Sequence, residues 1–557
     1  MMAEFSQASL GGALQLLHEG RTDEGIVRLR AIVQADDGAL DAWGHLAWQL
    51  ALAGRHAEAL EALDAIVRRN PENLEALWRR ADRLVRLGRL EAAEAQYGEV
   101  LARAPDCHDA RTGLTYVDWL KKRRPGASAS SRDDRPGSAN APAAAADRRA
   151  ALDNAERARA HLARGDVRLT SQPFHIHIES TTRCNAWCLT CAKGHRAYFA
   201  QDMSPEVFAR IERDLLPAAA QVNLTGSGEP LLSRGFDGFY DQAARAGARV
   251  YLVTNATTLT LERIETFARR PTDVIASIDA ATADTFEAIR RPARFERVTE
   301  SLRLYRKVRD VWPEVGSTLG INFVAMRRNI EELPALVDLA ADLGAQFVAV
   351  LDFATGDVPP AIALEHLAHT PDLANRLFDE AAERARARGV TLLLPPKFAA
   401  AGAPPVAGAS WRARWRRIGR LLPARSRFPQ RCPDPWTTVL VATDGLVHPC
   451  CASRRVMGDL RTQRLDAIWN GRRYRWFRRT IRTALPPPEC RACNQLWGVN
   501  AGNPTAVRAR EGLIVKALYR MKARMDRMVG RLRDRLFPTE PTPPNYEQGR
   551  PIGKQEK

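Results

Sequence analysis

The chain has 557 residues, too many for one core at about 100 to 200 residues per domain. With 45% hydrophobic and 27% charged residues, the composition excludes wholesale disorder, a collagen-like fibre and a disulfide-rich miniprotein, and the absence of any run of about 18 uncharged apolar residues excludes a transmembrane helix. The net charge of +18 is uneven: residues 1–120 carry 13 Arg against 19 acids, which leaves +24 on the remainder.

Residues 1–120 repeat with a period of 34, visible in Gly20, Gly54 and Gly88, in Leu29, Leu63 and Tyr97, in Ala59 and Ala93, and in Pro71 and Pro105. Gly turns the chain between paired helices, small Ala lets helices approach, and Pro opens the next unit. With Trp43 and Leu46 in the second unit, the segment resembles tetratricopeptide repeats, and Leu114, Tyr116 and Trp119 predict a capping helix. Cys107 reads as a small buried hydrophobe.

Residues 121–148 are rich in Pro, Gly, Ser and Ala, and read as a flexible linker spanning roughly 30 Å. A short helix is expected from about residue 149. Between residues 149 and 400, strand candidates at 174–180, 221–226, 249–255, 273–279, 320–326, 346–352 and 390–395 alternate with helical segments. Such alternation predicts parallel pairing through right-handed crossovers in a partial α/β TIM-type barrel, whose ligands sit at the C-terminal strand ends. Residues 401–431 form an Arg-rich connection, residues 432–500 a small α+β domain, and residues 501–557 a basic amphipathic helix with a polar tail. In that helix Ile514, Leu518, Met521, Met525, Met528, Leu532 and Leu536 form an apolar stripe among basic residues.

The cysteines carry the chemistry. MMAEFSQ at the start has no basic-then-apolar pattern, so a cytoplasmic, reducing setting is expected, where grouped cysteines read as metal or cluster ligands rather than disulfides. Cys184, Cys188 and Cys191 follow the first strand with CxxxCxxC spacing, which offers three thiolates to a cluster that normally takes four. The arrangement resembles the radical S-adenosylmethionine (SAM) superfamily, in which SAM chelates the open iron of a [4Fe-4S] cluster. There its reductive cleavage gives a 5′-deoxyadenosyl radical that abstracts hydrogen from substrate. Ser227-Gly228-Glu229-Pro230 resembles the family motif that binds the SAM amino group. The resemblance also assigns Asn255, Ser277 and Arg290 as SAM contacts; Asn255 has the alternative of capping a helix and Arg290 that of pairing with a surface acid. Thr190, where many members have an aromatic residue, and Ser227, in place of the first Gly of the motif, depart from the pattern.

Cys432, Cys450 after the Asp444-Gly445 turn, and Cys490-x-x-Cys493 resemble the SPASM domain in its shortened form, called twitch, which holds one auxiliary [4Fe-4S] cluster on four thiolates. The alternative at either set is a structural zinc ion. His175 and His177 alternate with apolar residues and read as polar groups satisfied within the barrel. No catalytic acid or base stands out.

The resemblance implies an enzyme that modifies or oxidises a peptide or protein side chain, with the repeats holding the substrate and a reduced flavodoxin or ferredoxin supplying electrons. Two alternatives are a radical SAM dehydrogenase of an aminosugar, a cyclitol or another small polar metabolite, and a repeat scaffold with structural metal sites. The basic C-terminal helix is expected to meet a membrane surface or an acidic protein, and no nucleic-acid recognition module is evident.

Overall fold

The computed structural model describes residues 10–17, 21–123, 141–191, 193, 195, 200–353, 358–398, 432–483 and 486–490. Most of the expected linker, the Arg-rich connection, Cys493 and the C-terminal amphipathic helix lie outside the described residues. Two compact units divide the chain, one holding the repeats together with the segment Thr299–Val311, the other the remainder.

In the first unit, helices Thr22–Ala35, Leu40–Leu52, His56–Arg69, Leu74–Arg86, Leu90–Arg103 and His108–Lys122 pack each against its neighbour. The 34-residue period marks the core: Leu29, Ala59, Ala93 and Tyr97 are completely buried and Leu63 nearly so. Gly54 and Gly88 adopt φ of 73° and 74° just past helix ends, the left-handed conformation that costs a residue with a Cβ about 1 kcal/mol. Tyr116 stacks on Trp119 at 5.7 Å in the last of these helices. Cys107 departs from expectation. It is only partly buried, because it stands outside the packed face at the start of helix His108–Lys122.

In the second unit, the helix expected from residue 149 begins earlier, at Ala141, where an Ala-rich run has strong helix propensity. The strands are β1 (His175–Ile178), β2 (Trp187–Cys188), β3 (Gln221–Leu224), β4 (Arg249–Thr254), β5 (Thr272–Ser277), β6 (Arg290–Arg291), β7 (Thr318–Ala325), β8 (Phe347–Asp352), β9 (Thr391–Leu393), β10 (Thr438–Val441), β11 (Leu446–His448) and β12 (Gly458–Asp459). All seven strand candidates of the central region are present. One ten-stranded sheet runs in the order β12-β11-β10-β1-β3-β4-β5-β7-β8-β9, and every pairing from β10 to β9 is parallel. Crossover helices such as Pro205–Asp214, Phe236–Arg245 and Leu333–Asp342 cover it.

The sheet does not stop where the late cysteine region begins. β10 joins it in parallel beside β1, with Ile176 opposite Val439 on one side and Val222 on the other. β11 and β12 then extend the edge antiparallel. Trp436 and Trp469, almost fully buried, fix this junction by donating indole N–H bonds to the carbonyls of Asp166 (2.8 Å) and Ser171 (2.9 Å).

Candidate functional site

Loops at the C-terminal ends of β1, β3, β4 and β5 converge. The first carries Cys184, Cys188 and Cys191 and is not a free coil: β2 pairs antiparallel with β6, setting Cys188 directly opposite Arg290, and the Leu189 N–H donates to the Ile289 carbonyl at 2.9 Å. Cys188 is buried, while Cys184 and Cys191 are partly so. Burial pushes the Cys184 thiol up and that of Cys188 to about 11, with the Arg290 charge opposing the rise at Cys188. Metal binding would displace these protons.

Gly228 lies against the chain that leads into the cysteines. A Cβ there would stand 2.4 Å from the Thr181 carbonyl oxygen and 2.6 Å from that of Arg183, so only glycine permits the approach. The Glu229 N–H closes the contact by donating to the Arg183 carbonyl at 2.8 Å. The Glu229 carboxylate points inward, where it accepts from the Asn255 N–H (2.6 Å), the Thr254 hydroxyl (2.7 Å) and the Leu231 N–H (3.2 Å). Burial raises its pKa and those donors pull against the rise. Its side chain therefore latches the β3 loop to the end of β4.

Asn255 spans two loops. Its amide donates to Asn185 Oδ1 at 2.8 Å inside the cysteine loop, and its own Oδ1 accepts from the Thr257 N–H at 3.0 Å, a local turn rather than a helix cap. Ser277 ends β5 opposite Asn322 of β7 and is partly buried. Arg290 pairs with an acid that is not on the surface: its guanidinium is 2.8 Å from Asp279, which is completely buried.

Three polar residues here received no role from the sequence. Glu179, just past β1, accepts from the Ser227 N–H at 2.8 Å with one oxygen and from the Thr443 hydroxyl at 3.3 Å with the other, so it joins the β3 loop to the β10–β11 turn. Lys193 is buried and donates to the Thr182 carbonyl; burial lowers its pKa, and the Cys184 and Cys191 thiols oppose that. Asp279 is the third. A signal existed for Glu179 and Asp279, since both are acids at the C-terminal end of a barrel strand.

The late cysteines lie just before the short helix Asp434–Thr437 that leads into β10, just past β11, and in the short turn Pro488–Cys490. Cys432 and Cys490 are buried. Adjacent Cys450 and Cys451 differ: Cys450 is sheltered, its thiol pushed up to about 12 by burial with the Asp434 charge adding to it, and Cys451 is exposed. Glu489 reaches back to Arg455 at 2.7 Å, bracing the segment after Cys451 against the one that carries Cys490. Cys493 lies outside the described residues. His175 and His177 are partly buried on β1, opposite the apolar face of Ile176 and Ile178. His177 receives the Asn223 amide at 3.1 Å, and burial lowers its pKa to about 4.

Among the described residues no three of His, Cys, Asp or Glu converge tightly enough to hold a single metal ion. Cluster ligands bind separate irons and need not converge on one point. The donor chemistry fits an iron-sulfur cluster, with three thiols on one loop, a guanidinium beside one of them, and a close-packed glycine backbone alongside.

Three family profiles match the chain: "Radical SAM superfamily" over residues 178–340, an "Iron-sulfur cluster-binding domain" (SPASM) over 432–494, and "Tetratricopeptide repeat" over 16–79 and 50–115. The chain is 28% identical over 182 residues to the AdoMet-dependent heme synthase of Methanosarcina barkeri, a match that takes in 32% of this chain and 50% of that protein. It is 27% identical over 349 residues to the PqqA peptide cyclase of a Methylobacterium species, which takes in 58% of this chain and 80% of that protein. The chain thus spans about half the length of the first relative and most of the second. Among solved structures, SuiB of Streptococcus suis bound to S-adenosylmethionine aligns with a TM-score of 0.42 and 18% identity, over 72% of this chain and 86% of that one.

Proposed function

We propose that this chain, a radical SAM superfamily enzyme that carries an iron-sulfur cluster-binding SPASM domain and tetratricopeptide repeats, modifies or oxidises a side chain of a peptide or protein substrate. Its domains imply a [4Fe-4S] cluster with SAM, and an auxiliary iron-sulfur cluster. The observation that carries the reading is the cysteine loop at the end of β1, folded on the Gly228 backbone and set beside the strand through which the late cysteine region enters the sheet.

Cys184, Cys188 and Cys191 would hold the SAM-binding cluster, and Cys432, Cys450, Cys490 and Cys493 the auxiliary one. When bound, the first cluster and SAM together supply a 5′-deoxyadenosyl radical. The protein's own residues bind and orient. The backbone around Gly228 would offer carbonyl oxygens that accept from the SAM amino group. Glu229 keeps that backbone in place through its bonds to Thr254 and Asn255, and Asn255 holds the cysteine loop through Asn185. Ser277 and Arg290 complete the SAM side of the site. The peptide substrate is supported by the PqqA peptide cyclase likeness over 80% of that protein, and by the repeats, which we assign to substrate recruitment. A reduced flavodoxin or ferredoxin would deliver the electron, and the cytoplasm is the compartment that keeps these thiols reduced. Among the described residues no helix is long and apolar enough to cross a membrane.

The test is anaerobic turnover of protein reconstituted with iron and sulfide, given dithionite and SAM. Formation of 5′-deoxyadenosine above the substrate-free rate on a peptide library, and not on aminosugar or cyclitol alcohols, is the expected outcome. The reverse preference would overturn the peptide reading.

A further inference from the structure

Arg290 and Asp279 make an arrangement that SAM binding alone does not require. One guanidinium nitrogen of Arg290, Nη2, is 2.8 Å from Asp279 Oδ2, while the other, Nη1, donates to Cys188 Sγ at 3.8 Å. The backbone imposes this approach, since β2 and β6 pair with Cys188 opposite Arg290. Asp279 is fixed in turn: its Oδ1 accepts from the Val324 N–H at 2.8 Å and its carbonyl from the Asn329 amide at 2.9 Å. Asp279 is completely buried and Arg290 nearly so, where charge acts through a lower effective dielectric than water.

A cluster becomes more negative when it takes up an electron. A cation and an N–H donor held on one of its sulfur ligands stabilise that reduced state and raise the reduction potential, while a nearby carboxylate opposes them. We propose that Arg290, positioned by Asp279, sets the reduction potential of the SAM-binding cluster through the Cys188 sulfur. The proposal rests on the reading of Cys188 as a cluster ligand. Arg290 holds the potential up and Asp279 moderates it, so the two residues act with opposite sign.

The experiment is a potentiometric titration of full-length protein carrying its clusters, read by electron paramagnetic resonance on the signal that changes when SAM is added. Arg290→Gln is expected to disfavour reduction by tenfold or more, which for one electron is a shift of about 59 mV to lower potential. Arg290→Lys keeps the charge but loses the fork, and is expected to shift the same way by less. Asp279→Asn removes the opposing charge and is expected to shift the potential upward. Wild-type potentials in both Arg290 variants would overturn the inference, and so would a shift of all three variants in one direction, which marks general loosening. If Arg290→Gln does not retain iron, Arg290→Lys and Asp279→Asn still decide it by their opposite signs. A wild-type protein that holds iron but shows no SAM-responsive signal would defeat the cluster reading itself, a failure distinct from unchanged potentials.

Discussion

The two cysteine regions of this molecule are held in place by different means. The early set occupies eight residues of one loop, from Cys184 to Cys191, and its geometry is held by bonds to three other loops: the β2–β6 ribbon, the Gly228 backbone contact and the Asn185–Asn255 bridge. The late set is spread from Cys432 to Cys493, and a packed framework has to bring it together. That framework centres on Arg478, which is completely buried, donates to the carbonyls of Pro435 (2.7 Å), Trp469 (2.8 Å) and Val167 (3.1 Å), and lies over the Trp469 ring at 4.3 Å. Burial lowers its pKa to about 9, with Tyr474 opposing the fall. A ligand set close in sequence depends on loop bonds, whereas a dispersed one depends on the core.

The largest effect expected from this contrast is in the triple variant Cys184→Ala, Cys188→Ala, Cys191→Ala. It should lose SAM cleavage altogether and keep roughly half of its iron, because the late cluster is held separately. Unchanged 5′-deoxyadenosine formation would end the radical assignment. In that same background, Cys450→Ala should lose or degrade the remaining cluster and Cys451→Ala should retain it, since Cys450 is sheltered and Cys451 exposed. Iron and sulfide analysis reads this directly, and the reverse pattern would exchange the two assignments.

Arg478→Ala tests the framework. It strips three buried carbonyls of a donor and should destabilise the second unit by about 3 kcal/mol, with iron lost from the late site before the early one. Simultaneous loss from both sites on thermal melting would show that the two regions share one cooperative core.

The smallest effect concerns β1, the strand shared by both regions. His177 is held neutral, with a pKa near 4 in the fold against about 6.5 when unfolded. The folded state therefore binds fewer protons. The stability this contributes is complete above about pH 6.5 and is lost as pH falls toward 4, by about 3 kcal/mol. Denaturant titrations between pH 4 and 7 should show that slope, and His177→Gln should flatten it.

Much of this was legible in the sequence because it is written at short range. A 34-residue period fixes paired helices, since each unit repeats the same turn and the same buried positions, and Leu29, Leu63 and Tyr97 are indeed core. Alternating strand and helix patterns marked all seven central strands, and the CxxxCxxC spacing marked its own loop. Other features came only from the tertiary structure. No local pattern specifies that β10 pairs with the free edge of β1, because an edge strand offers its hydrogen bonds to any partner and packing of Trp436 and Trp469 makes the choice. The inward turn of Glu229 and the placement of Arg290 between Asp279 and Cys188 were decided in the same way. Spacing along the chain determines which groups share a loop, but the partner of a buried charge is settled only when distant segments exclude water around it.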